Sequence, residues 1–269
     1  MKNAAIGVFD SGLGGLTAVK ELVKILPHED VVYFGDTGRV PYGTRSRDTI
    51  ISYARQDLRF LSTFDIKIAL VACGTISAVA LDVLKGEHSF PVVGVIESAA
   101  RAAAARTKNK RIGIIGTGAT VKSGAYAKML AAIDPEIETV SVPCPLFVPL
   151  VENGHLSKDD PIVREAVRLY LKDIVDFGAD TVIMGCTHYP LLAYNIGQFV
   201  GEDVLLINPG REAANTVKRI LDARSLTSEV GGKHRFFVSD SIDNFETLGS
   251  MFMKQSIGGE VAKVDIEKY

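Results

Sequence analysis

The 269-residue chain has no tryptophan, only three cysteines and almost no excess of charge. Three cysteines do not make a disulfide framework in a chain of this length, so the expected setting is a reducing cytoplasm with free thiols. The formal net charge is −2, from 32 acidic and 30 basic residues spread throughout. That leaves no basic patch for nucleic acid and no polybasic arm for a membrane surface. Long apolar runs are also missing. The most apolar stretch, residues 66–84, is broken by Lys67, Gly74, Thr75, Ser77 and Asp82, and reads as a buried strand plus a helix rather than a membrane span. The opening MKNAAIGVFDSG has neither a long apolar core nor a small-residue cleavage site, so no secretory signal is expected.

What the chain does have is apolar content for a packed core, 47% of its residues. Its length suits one large or two compact α/β domains. Short β-branched runs fall at Ala5–Phe9, Val31–Phe34, Ile68–Ala72, Val92–Val95, Arg111–Ile115, Thr139–Val142, Thr181–Met184, Val204–Ile207 and His234–Val238. Segments of helical length lie between them, at Gly15–Leu26, Arg47–Ser62, Thr75–Leu84, Ser98–Arg106, Thr120–Ile133, Pro161–Phe177, Leu191–Val200, Glu212–Asp222 and Ser241–Lys254. Most runs are continuously apolar, as strands covered on both faces should be. Strand–helix alternation predicts an α/β fold with right-handed crossovers and mostly parallel sheets.

A faint internal repeat divides the chain. Ile6–Gly12 (IGVFDSG) resembles Ile112–Gly118 (IGIIGTG), an offset of 112 − 6 = 106. Cys73 with Thr75 resembles Cys186 with Thr187 at the end of a later strand, an offset of 186 − 73 = 113. Two matched pairs in the same order predict two pseudo-symmetric domains. Residues 1–96 with 208–269 would form the first and 97–207 the second.

Ligands of open α/β sheets bind beyond the carboxyl ends of the strands. Cys73 and Cys186 both stand there, each before a predicted helix, where N–H groups and the helix dipole are expected to stabilise a thiolate. Two facing thiols suit the removal of a proton from one face of a carbon and delivery to the other. The alternative is that each is a small buried hydrophobe, the reading favoured for Cys144 between two prolines. A zinc site is disfavoured, because C-x-H is not a usual chelating spacing and no fourth ligand is evident.

Glycine- and hydroxyl-rich turns surround the pair. Asp10–Thr17 (DSGLGGLT) is neither a Walker loop nor a dinucleotide fingerprint. Its N–H groups suit a carboxylate. Asp10 can bond an ammonium group, assist proton transfer or simply cap a helix. Pro41-Tyr42-Gly43 is a turn able to present N–H groups, and Gly116–Thr120 (GTGAT) is the matching turn of the second half. Thr187 and His188 flank the second thiol, and Glu152, near a predicted helix end, can orient His188.

Four motifs together resemble the glutamate racemase family: Phe9–Leu16 (FDSGLGGL), Tyr33–Asp36 (YFGD) with Pro41–Gly43, Ala72–Thr75 (ACGT), and Gly185–Leu192 (GCTHYPLL). The likeness spans about residues 5–223. It implies two facing flavodoxin-like domains with the active site in the cleft between them. It also implies interconversion of L- and D-glutamate without cofactor or metal, supply of D-glutamate for peptidoglycan, a cytoplasmic location and a homodimer. Cys73 would act on the α-hydrogen of the D-enantiomer and Cys186 on that of the L-enantiomer. Asp10 would assist Cys73, and Glu152 with His188 would assist Cys186. Asp10, Ser11, Tyr42, Gly43, Gly74, Thr75, Thr187 and His188 would hold substrate, with Thr117 or Thr120. The chain departs from the family at Gly74, where Asn is usual, at Ile76, and at Asn208-Pro209-Gly210. Gly74 keeps an aspartate racemase in view as the rival. A non-catalytic amino-acid sensor and a nucleotide-binding enzyme are the rivals of other classes.

Overall fold

The computed structural model describes residues 2–254, 257 and 260–269. From the N-terminus the chain forms β1 (Ala5–Asp10), α1 (Leu16–Ile25), β2 (Val31–Gly35), α2 (Arg47–Leu61), β3 (Ile66–Val71), α3 (Gly74–Val79), α4 (Leu81–Leu84), β4 (Val92–Gly94) and α5 (Val95–Arg106). It continues as β5 (Arg111–Gly116), α6 (Gly118–Ser123), α7 (Ala125–Ile133), β6 (Glu138–Pro143), α8 (Phe147–Glu152), α9 (Pro161–Asp176), β7 (Thr181–Met184), α10 (Ala193–Val200) and β8 (Leu205–Ile207). It ends with α11 (Pro209–Ala223), β9 (His234–Val238), α12 (Ile242–Met253) and β10 (Glu260–Lys263).

The strands make two sheets, in the orders β10-β9-β2-β1-β3-β4 and β6-β5-β7-β8. Every strand pairing among the described residues is parallel. The expected α/β class with mostly parallel sheets is therefore what forms. The repeat is visible as topology: β2-β1-β3-β4 has the same order as β6-β5-β7-β8. β3 and β7 are equivalent third strands, as are β1 and β5 as firsts. The later strands β9 and β10 extend the first sheet beyond β2.

Alternation along β1 shows why its run is apolar throughout. Ile6 and Val8 belong to one apolar cluster, and Ala5 and Phe9 to another. Successive side chains point to opposite faces, and both faces are covered. The first cluster continues into Ile112, Ile114 and Val182 of the second sheet. It does so through α11, which packs against both α1 and α5. The two sheets thus share one core, which fixes how their strand ends meet.

Several elements depart from the sequence reading. The segment 75–84 is two helices, broken at Ala80, whose ψ of −17° ends the first and caps the second. The segment 120–133 breaks at Gly124, which takes a left-handed φ of +65°. The short α8 was not expected, although Glu152 does stand at a helix end. Strand β10 was also missed, and its residues are half-exposed, so they carry no buried-strand pattern.

Candidate active site

Asp10 is the last residue of β1, and Cys73 follows its parallel neighbour β3. Thr117 follows β5, and Cys186 follows β7, in the second sheet. These strand ends face one another. Thr75 Oγ1 lies 3.1 Å from Thr117 Oγ1, and Thr17 Oγ1 donates to the Thr187 carbonyl at 2.7 Å.

Two close approaches bring the halves together. A β-carbon at residue 74 would stand 2.4 Å from the Gly185 carbonyl oxygen. One at residue 14 would stand 2.2 Å from Thr187 Oγ1 and 2.5 Å from His188 Nδ1. With the backbone as it stands, a side chain at either place would force its neighbours to shift. Gly74 thus does more than omit a side-chain contact: its missing side chain lets the two strand ends touch. In the 10–17 turn, the Gly12 N–H is used by Asp10 Oδ2 at 3.1 Å, and Gly14 makes room for His188.

Cys73 is buried. Its sulfur accepts from the Ile76 N–H at 3.5 Å and lies 3.3 Å from Ser11 Oγ. Burial pushes its thiol up to about 12, and the nearby Asp10 charge adds to this. The hydrogen bonds from Ser11 and Ile76 oppose the rise without cancelling it. The expectation that the helix start lowers this thiol is therefore corrected: desolvation outweighs two hydrogen bonds. Asp10 is also buried, its carboxyl raised first by desolvation and lowered in part by His188 and by backbone N–H groups. Its Oδ1 has no hydrogen-bond partner among the described residues, so it is an acceptor left for something else.

The second thiol has a different environment. Cys186 Sγ lies 3.8 Å from His188 Nδ1, and His188 Nε2 lies 3.0 Å from Glu152 Oε1. Thr187 Oγ1 is 3.4 Å from the same Nδ1. Burial alone would lower His188, but the Cys186 hydrogen bond and then Glu152 push it up to about 10. The imidazole is therefore held positive at neutral pH beside the sulfur. The edge-on ring of Phe252, with centroids 5.4 Å apart, packs against it.

The structure brings Asp10, Ser11, Cys73, Gly74, Thr75, Cys186, Thr187, His188 and Glu152 to the facing strand ends, with Thr117 and Thr120 beside them. Tyr42 differs. Its phenol is buried among Asp36 and Asp57, 3.3 Å from Asp57 Oδ2. Only the backbone of the 41–43 turn is left to face the site, where a β-carbon on Gly43 would lie 3.5 Å from Thr117. Sequence reasoning missed Thr17 and Phe252. Their partners are 170 and 64 residues away, and neither carries a local signal. A cavity of about 10 Å³ lies against Gly74, Cys186 and Thr187. A larger recess of about 150 Å³ opens beside Gly12, Val40 and Glu152.

The chain is similar to known racemases along its whole length. A glutamate racemase of Geobacter metallireducens is 48% identical over 266 residues, covering 98% of this chain and 97% of that one. A crystal structure of a glutamate racemase isoform from Bacillus anthracis superposes with a TM-score of 0.94 at 38% identity, covering 98% of both chains. The structure of glutamate racemase from Francisella tularensis in complex with D-glutamate gives a TM-score of 0.93 at 38% identity, covering all of both chains. Residues 6–217 match the Asp/Glu/Hydantoin racemase family, and this chain belongs to that family as an amino-acid racemase.

Proposed function

We propose that the chain interconverts L- and D-glutamate by a two-base mechanism, with Cys73 and Cys186 on opposite faces of the α-carbon. The observation that carries this reading is the pair of buried thiols that end equivalent strands of two facing sheets, each with its own polar partners. The substrate is drawn from the names of the relatives, one of which is solved with D-glutamate.

The chemistry follows from the two environments. The imidazolium of His188, backed by Glu152, stabilises negative charge on the Cys186 sulfur. Cys73 is a neutral thiol. With L-glutamate, the Cys186 sulfur takes the α-proton, and the electron pair of the broken C–H bond passes into the carboxylate. The Cys73 S–H then delivers its proton to the other face. The product is D-glutamate, with Cys73 now the thiolate and Cys186 the thiol. The reverse reaction exchanges the roles, and water restores the starting state. Asp10 assists Cys73, and its unpartnered Oδ1 also suits the substrate ammonium. Hydroxyl and N–H groups of Ser11, Thr75, Thr187 and Gly43, with Thr117, bond the carboxylates as charge moves into them. Burial of substrate between the facing strand ends would supply the desolvation on which such a weak acid depends.

The wider reading includes two domains, residues 1–96 with 208–269 and residues 97–207, supported by the strands each sheet draws on. It also includes cytoplasmic peptidoglycan supply, a homodimer, and no cofactor or metal, all as the family resemblance implies. No helix among the described residues is long and apolar enough to cross a membrane. Circular dichroism of each glutamate enantiomer, run in deuterium oxide, tests the proposal. Loss of ellipticity with deuterium at the α-carbon is expected. Turnover of aspartate alone would replace the substrate, and binding without exchange would replace an enzyme with a sensor.

A further inference from the structure

A buried polar cluster stands behind the 40–43 turn without taking part in the chemistry. Arg39 Nε donates to Asp36 Oδ2 at 2.6 Å, and its Nη2 donates to Asp57 Oδ1 at 3.1 Å. Its plane lies 4.0 Å from the Tyr53 ring centre. The Tyr42 hydroxyl touches both carboxylates. Ser239, at the end of β9, donates to Asp36 Oδ1 at 2.8 Å and accepts from the Gly38 N–H at 2.8 Å. Both aspartates have fully buried side chains. The turn they hold reaches two parts of the site: Val40 packs against Gly12, and Gly43 faces Thr117.

We propose that Arg39 and Asp57 are positioning residues for racemisation, acting through Tyr42 and Asp36 to hold the 41–43 backbone against the bound substrate. This rests on the reading that the turn contacts substrate. A protein fold does not need two buried carboxylates around one guanidinium, since well-packed apolar groups serve stability as well or better. The cluster instead fixes the geometry of one turn, through a planar fork that a lysine does not reproduce.

Its proton inventory makes the idea testable. Tyr42 has one hydroxyl proton but touches two carboxyl groups, and one guanidinium faces two buried acids. The contacts balance when Asp57 carries a proton and donates it to the Tyr42 oxygen, while Tyr42 donates to Asp36. Burial and the Asp36 charge raise Asp57 well above the ordinary carboxyl range, against Arg39 and Tyr42, which agrees. Asparagine imitates a protonated aspartate: its oxygen accepts from Arg39 and its NH₂ donates to Tyr42.

The experiment measures kcat and KM for both glutamate enantiomers, with thermal unfolding, in Arg39→Met, Arg39→Lys, Asp57→Ala and Asp57→Asn. Arg39→Met and Asp57→Ala are expected to raise KM by about tenfold or more with kcat within a few-fold. Arg39→Lys is expected to show a smaller rise, and it carries the test if Arg39→Met does not fold. Asp57→Asn is expected to keep the parental KM. A merely structural role would lower the melting temperature and leave KM unchanged, and that result overturns the proposal. So does an Asp57→Asn variant as impaired as Asp57→Ala. Gly43→Ala separates the two levels, because its methyl would stand 3.5 Å from Thr117, one of the groups proposed to bond substrate. If Gly43→Ala raises KM and Arg39→Met does not, the turn binds substrate and the positioning proposal fails alone. If neither changes KM, the reading of the turn fails with it.

Discussion

Replacing Gly74 with alanine should damage the enzyme by pressing its two halves apart at the site. The added β-carbon would stand 2.4 Å from the Gly185 carbonyl oxygen, where ordinary contact begins at 3.4 Å. About 3.4 − 2.4 = 1.0 Å must be recovered. The opposing atom is backbone next to Cys186, so no flexible side chain can yield. Overpacking of this kind costs about 1–3 kcal/mol. For a chain of this size that is a fall of roughly 2–10 °C in melting temperature. The larger effect should be on rate. A displacement of about 1 Å between reacting groups can cost about 10²-fold, and here it falls between the strand ends that carry the two thiols. Gly86→Ala is the control, since a β-carbon there meets nothing within 4 Å. Differential scanning fluorimetry and racemisation followed by circular dichroism read both effects. Parental stability and kcat/KM in Gly74→Ala would refute the argument that the strand ends must touch.

Other outcomes follow from the same geometry. Cys73→Ala and Cys186→Ala should each abolish racemisation with the melting transition retained, and full activity in either would sink the two-base scheme. Without substrate, Cys73 should resist alkylation at pH 8, because its thiol is pushed up to about 12; mass spectrometry of modified peptides checks this. His188 is raised from 6.5 to about 10. Its charged form therefore contributes stability that is full below about pH 6.5 and lost as pH rises through about 10. Glu152→Gln removes one cause of the rise, so that loss should move to lower pH in urea melts taken from pH 6 to 10.5. Lys67→Met should be destabilising by about 3–5 kcal/mol. The Lys67 ammonium, almost wholly buried, sits 2.5 Å from Glu29 and bonds the carbonyls of Lys2 and Leu226. Its removal leaves a buried carboxylate unpaired.

The strand ends were legible because their signals are local. A continuously apolar run that stops at Asp10, Cys73 or Cys186 marks where a covered strand meets solvent or ligand. The alternation of runs and helices dictated parallel pairing, and the repeat matched β3 with β7. Strand β10 was hidden because a half-exposed edge strand has no such run. The helix breaks at Ala80 and Gly124 were hidden because a single residue decides each.

The sequence by itself determined the fold class and the residues at the turns, since periodicity and glycine or hydroxyl content depend on neighbours a few positions apart. The tertiary structure decided what those residues do. Gly74 reads as a lost contact in the chain and as a point of closure in the fold. Cys73 reads as a helix-start thiolate, but becomes a neutral thiol once burial exceeds its hydrogen bonds. Tyr42 reads as part of a turn that offers backbone N–H groups, and only the fold shows its phenol held by Asp36 and Asp57. Each outcome depends on atoms brought close from distant parts of the chain, and steric contact and desolvation exist only after that approach.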